Sequence, residues 1–183
     1  MKAYLCPLLL LASLVLLSAQ QEAPPQMIPN PLISFEGFQK NVEEAQKLRE
    51  THRLTEEQFH EIMKQPDVVL LDARSAEMFK LRHIAGAVNL SLPDFNEAAL
   101  AKIIPSKDTK VLIYCNNNFE NSPISMASKS ISTALNLHTL TSLLGYGYKQ
   151  VYELGPLLDV NTTRLPFKGT EVEPKRTPPI RNR

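Results

Sequence analysis

Several stretches of the chain carry apolar residues at spacings that fix their conformation. Phe38, Val42, Ala45 and Leu48 recur every three or four positions, which predicts an amphipathic helix over residues 37–51 docked beside the domain, with a dimerisation helix as the alternative. Thr55, with Gln58 three residues on, forms a capping box. Phe59, Ile62 and Met63 then supply the buried face of a second helix, which Pro66 stops. Residues 68–71 and 111–114 are unbroken apolar runs without alternation, as expected of strands buried on both faces of a parallel sheet. Between them come a short helix near residues 76–81, a small strand at 87–90, a helix at 96–104 and a turn at 105–109. Leu137, Leu140, Leu143 and Leu144 make a further helical stripe ended by Gly145 or Gly147, and residues 151–154 form a last strand. Strand and helix patterns alternate. The fold class predicted is therefore α/β, with a mostly parallel central sheet flanked by helices.

The ends of the chain differ from this body. Lys2 is the only charge before Glu22, and residues 8–17 are apolar apart from Ser13, with small residues at Ser18 and Ala19. A basic start, a short apolar core and a small-residue exit predict a secretory signal peptide over residues 1–19, since a membrane span needs ~20 apolar residues. The expected location is secreted or periplasmic, by analogy a bacterial periplasm, with no stable membrane insertion after cleavage. Residues 20–36, with Pro24, Pro25, Pro29 and Pro31, read as a linker. Residues 37–53 hold the first helix, 54–160 the domain and 161–183 a C-terminal tail, loose from Glu171 onward.

Composition narrows the function. The chain has 183 residues, 20 Lys plus Arg against 19 Asp plus Glu, and 43% apolar residues. This is a globular domain without the cationic excess that a nucleic-acid binder needs. Cleavage after Ala19 removes Lys2 and Cys6, which leaves a near-zero net charge and Cys115 as the one cysteine of the mature chain. A lone cysteine in an exported protein is either a buried apolar filler or a reactive thiol.

The placement of Cys115 bears on that choice. In open parallel sheets ligands bind beyond the carboxyl ends of the strands, and both Cys115 and the Asp72-Ala73-Arg74 triplet fall there. The loop after the cysteine comprises Asn116, Asn117, Asn118, Phe119, Glu120, Asn121 and Ser122, followed by Pro123. Asn tolerates left-handed backbone, so this loop is able to curl its amides inward into an anion-binding nest that favours a thiolate. Position and composition alone leave this reading level with the bland one of a buried cysteine before an irregular loop.

Three ordered motifs tip the balance. Residues 68–90, through Asp72, Arg74, Glu77, Phe79, His83, Ile84, Gly86 and Ala87, closely resemble the first signature of rhodanese-like domains. Residues 111–115 resemble the strand that delivers the rhodanese catalytic cysteine, and residues 147–154 its closing turn and last strand. The resemblance implies a rhodanese-like three-layer fold and a sulfurtransferase that needs no metal or organic cofactor. Cys115 would take sulfane sulfur from a donor such as thiosulfate, become a persulfide and pass the sulfur to a thiophilic acceptor such as cyanide or a thiol. Asn116 to Ser122 would cradle the donor anion, while Asp72, Arg74 and His83 would support the site. The partner expected is thus a small sulfur-containing anion or a thiol acceptor.

The chain also departs from the pattern. The loop lacks Lys and Arg, and Glu120 stands about where rhodaneses often carry an anion-binding Arg. Lys129 is the sequence's candidate for the missing charge. Residues 123–136 form a Ser- and Pro-rich excess, read as a tolerated surface loop in preference to a lid or partner-binding insertion. The related phosphatases place an Arg six residues after the cysteine to clamp phosphate, but here that position is Asn121, which argues against a phosphatase. The four histidines show no metal-ligand spacing. The rival from another class is a catalytically silent module that binds a partner or small anion in the same pocket, and a redox sensor would lack a resolving cysteine.

Overall fold

The computed structural model describes residues 28–172, so the expected signal peptide, Cys6 and the outer part of the tail lie outside the described residues. Among the described residues, 28–33 and those from Ser34 onward fall into separate units. In the first, the Leu32 amide donates to Asn30 Oδ1 at 2.9 Å and closes a turn. Among the described residues no helix is long and apolar enough to cross a membrane.

The second unit opens with helix α1 (Phe35–His52), two residues earlier than the sequence stripe suggests because the Ser34 hydroxyl caps it, accepting from the Gly37 amide at 2.9 Å. Residues 35 and 36 are therefore helix and not linker. Strand β1 (Arg53–Leu54) follows directly, then α2 (Glu56–Ile62), with the predicted Thr55–Gln58 capping box formed in both directions. Next come β2 (Val68–Asp72), α3 (Ala76–Leu81), β3 (His83–Ile84), β4 (Val88–Asn89), α4 (Glu97–Ile103) and β5 (Lys110–Tyr114). The chain closes with β6 (Phe119–Glu120), α5 (Leu135–Gly145), β7 (Val151–Leu154), β8 (Leu158–Asp159) and β9 (Phe167–Lys168). Helix α5 ends in a Schellman motif: Gly147 takes φ 86°, its amide donates to Leu144 O, and the Tyr148 amide donates to Leu143 O.

The central sheet runs β1-β7-β5-β2-β4, and every pairing in it is parallel. Alternate residues of β2 and β5 serve two cores. Leu71, Val111 and Ile113 join Leu100, Ile104, Leu140, Leu143 and Ala45 on the face covered by α1, α4 and α5. Leu70, Leu112 and Tyr114 join Phe59, Ile84 and Phe119 on the other. This two-sided burial is why the strands read as continuous apolar runs. Helix α1 sits against α5, but only Ala45 of its stripe is fully buried; Phe38 and Val42 stay 47% and 41% exposed.

Two parts of the fold depart from the sequence expectation. Past Val160, the first part of the expected C-terminal tail belongs to the domain's own fold. Leu165 is buried, β9 pairs antiparallel with β3, and Phe167 meets Phe119 edge-on at 5.2 Å. Gly169, at φ 129°, lies so close to the backbone of Leu81 that a Cβ there would stand 2.2 Å from its carbonyl oxygen. The segment 123–136 is not merely a surface loop either. Ser125 and Met126 are buried, and Asn136 belongs to the first turn of α5.

Candidate active site

Strand geometry decides which way Cys115 points. The residue is extended (φ −146°, ψ −175°), so the alternation of β5 continues through it. Its side chain follows Val111 and Ile113 onto the α1/α5 face, opposite to Tyr114. There it meets the start of α5. Cys115 lines a cavity of about 200 Å³ together with Arg49, Arg53, Asn117, Asn118, Asn136, Glu153 and further residues of α5 and β7.

Asn118 organises the floor of this cavity. Its Oδ1 accepts from the Cys115 amide at 2.9 Å and from Asn136 Nδ2 at 3.1 Å, while its Nδ2 donates to Leu154 O at 2.7 Å. With Asn118 locked that way round, Asn136 must present its Nδ2 to it. Asn136 Oδ1 is left buried and without a partner among the described residues. Asn117 reaches outward instead, exchanging two hydrogen bonds with the main chain of Lys129.

Opposing influences act on the thiol. Burial, the largest, pushes its pKa up, and the Glu153 carboxylate adds to this. The backbone amides of Asn136, Asn117 and Leu135 pull the other way, but burial wins. Two of these amides come from the first turn of α5. That turn has Ala134 at its cap, with no side-chain oxygen to occupy its free N–H groups.

The positive charge that the loop lacks comes from elsewhere. Glu153, 3% exposed, accepts from Arg49 Nε at 2.6 Å and pairs with Arg53 Nε at 3.0 Å. Parallel register puts Ile113, Glu153 and Arg53 in one row across three strands, which brings both arginines to the cysteine's end of the sheet. Lys129 does not line the cavity.

The remaining sequence candidates lie apart from this cavity. Asn116 is buried in the turn after the cysteine without lining it. Phe119 is core, edge-on to Tyr114 at 6.1 Å; Glu120 points outward; and β6 pairs with β8. Asn121 takes φ 62°, and the Ser122 hydroxyl bonds Ser125 at 2.8 Å. The expected cradle running from Asn116 to Ser122 therefore does not form. An apolar Phe119 anchors the chain in the core and draws the loop into a strand, and of those seven residues only Asn117, through its backbone, and Asn118 border the cavity.

Asp72 and Arg74 form a second, closed cluster. Arg74 binds the carboxylate through Nε and Nη2 and donates to Ser125 O and Arg82 O, both at 2.7 Å. The Tyr114 hydroxyl donates to Asp72 Oδ2, and burial with the Asp72 charge pushes that phenol well up, so it stays a neutral donor. His83 stacks on Phe79 at 3.8 Å, with Nδ1 2.7 Å from Phe79 O. Among the described residues no three His, Cys, Asp or Glu side chains gather as a metal site.

Sequence reasoning missed Arg49, Arg53, Glu153 and Asn136. The i,i+4 spacing of the two arginines was visible, but nothing local ties them to a cysteine more than sixty positions away.

A family model for the rhodanese-like domain matches residues 55–154, more than half of the chain. The protein belongs to the rhodanese-like domain family. Solved structures of similar fold include a Bacillus halodurans protein, 20% identical over 73% of this chain and 86% of that one, with a TM-score of 0.45. A rhodanese with anions from E. coli is 21% identical over 56% of this chain and 98% of that one, TM-score 0.38. A single-domain sulfurtransferase from Saccharomyces cerevisiae is 13% identical over 59% and 84%, TM-score 0.36. No curated protein matches the sequence. The matched span begins after Arg49 and Arg53, so this rhodanese-like domain has its cavity completed by residues that precede the family region.

Proposed function

We propose that this rhodanese-like protein is an exported sulfurtransferase that carries sulfane sulfur on Cys115. The observation behind this is the cavity itself. A cysteine at the carboxyl end of a central strand opens onto a polar pocket, with amides from two segments directed at its sulfur. In the first half-reaction the Cys115 thiolate attacks the outer sulfur of thiosulfate. A new S–S bond forms at Sγ, the S–S bond of thiosulfate breaks, and sulfite leaves with the electron pair. In the second, cyanide or a thiolate attacks the outer sulfur of the persulfide, and the Cys115 thiolate departs. The amides of Asn136, Asn117 and Leu135 stabilise the anionic sulfur in both resting states.

The test is the intact mass of the protein after thiosulfate treatment, beside Cys115→Ser. Gain of one sulfur atom, removed by cyanide and absent in the variant, is the expected result. The second reading is a catalytically silent rhodanese-like module, favoured by the burial that raises the Cys115 pKa. It predicts no gain and a Cys115 inert to alkylating reagents. No gain with a reactive Cys115 would remove thiosulfate as donor and leave other sulfane donors.

A further inference from the structure

We infer that Arg49 and Arg53, which precede the family region, are the anion-binding residues of this site. Glu153 acts as their positioning residue. The inference rests on the sulfurtransferase reading for its ligand, a small sulfur-bearing anion, but its geometry stands apart from turnover.

Several observations carry it. Both arginines line the same cavity as Cys115, whereas the loop that follows the cysteine has no cationic side chain. Each binds Glu153 Oε1 through Nε, and Arg53 spends Nη2 on Gly155 O at 2.9 Å. These contacts tether both side chains beside Glu153 yet leave further N–H donors free for a ligand. The two arginines against one carboxylate leave the trio with one positive charge in excess. Glu153 is buried while Arg49 and Arg53 are 33% and 50% exposed, so the carboxylate sits behind and the guanidinium groups are open to solvent.

The inference makes α1 part of the active site. Helix α1 and strand β1 would supply in trans along the sequence what the cysteine loop does not. Because the charge lies outside the loop, it would act on any anion approaching Cys115 irrespective of the sulfur chemistry that follows.

The experiment compares the alkylation rates of Cys115 by iodoacetate, which is anionic, and iodoacetamide, which is neutral, in the full chain. The triple variant Arg49→Gln/Arg53→Gln/Glu153→Gln removes the charges together, so that no carboxylate is left buried and unpaired. In the parent the iodoacetate-to-iodoacetamide ratio should exceed that of a free thiol, and the triple variant should lower it by roughly tenfold. Iodoacetamide alone should be little affected. Arg49→Lys/Arg53→Lys, which keeps the charge, should retain most of the ratio. An equal ratio in parent and triple variant overturns the inference. If Cys115 resists both reagents, thiosulfate binding to Cys115→Ser by calorimetry decides instead, and equal affinity with and without the three changes overturns it. A ratio that depends on the arginines in a protein that gains sulfur from neither thiosulfate nor any other sulfane donor would uphold this site while refuting the sulfurtransferase reading. Full persulfide formation in the triple variant would do the reverse.

Discussion

Two polar clusters stand at the carboxyl ends of neighbouring central strands, and they are built on opposite terms. The Asp72 and Arg74 charges are sealed from water and matched: guanidinium to carboxylate, phenol to carboxylate, remaining N–H groups to carbonyls of Ser125 and Arg82, with the Arg82 Nε beside them buried and without a partner among the described residues. Around Cys115 the groups open onto a cavity. The arginines are half exposed, Asn136 Oδ1 is unmatched, and amides face a thiol that burial keeps protonated. Position at a strand end does not separate a lock from a site. Whether the polar inventory balances does.

The sharpest way to break the comparison is Asp72→Ala. It would leave Arg74 charged, buried and unpaired, and should cost about 3–5 kcal/mol in urea unfolding. A loss under 1 kcal/mol would mean the cluster is not a lock. Tyr114→Phe removes one hydrogen bond to a buried carboxylate and should cost about 1.5–3 kcal/mol by the same measurement. Glu153→Gln, in the open cluster, should cost only about 1 kcal/mol, because its arginine partners keep access to water. The same change removes a charge that raises the thiol pKa, so the alkylation midpoint of Cys115 should move to lower pH. A midpoint that stays or rises would break the electrostatic account of the cavity. The smallest effect is on pH-dependent stability. Since the folded thiol pKa is raised, its contribution is fully present below the unfolded value of about 8.5 and is lost as pH climbs through the folded value. Cys115→Ala should flatten that decline relative to the parent.

Much of the scaffold was legible because local signals and tertiary packing agree. The Thr55–Gln58 box, the apolar runs that become β2 and β5, and the leucine stripe of α5 each carry their own reason to form. Apart from β4, which falls within the small strand expected at 87–90, the two-residue strands were not legible. The pairing of β3 with β9 is decided by a partner more than eighty residues away, and no periodicity fits in two residues. The loop after Cys115 misled for a related reason. Its asparagines do turn, with Asn116–Asn118 in one tight turn and Asn121 at φ 62°, but Phe119 in their midst finds a place between Tyr114 and Phe167, and its burial draws the chain away from the cavity. The positive charge at the site was hidden in register: only the parallel pairing of β1, β7 and β5 brings Arg53 alongside Glu153 and the cysteine.

Asn117 joins the inside of the molecule to its outside. Its amide is among those that favour the thiolate, and its side chain grips Lys129 by two hydrogen bonds. Lys129 lies in the stretch between Ile124 and Ile131, two apolar side chains that are 66% and 89% exposed. The exposed stretch and the turn that carries one of the thiol's amides are thus spliced at a single asparagine, so the nucleophile's surroundings and the protein's exterior share a seam.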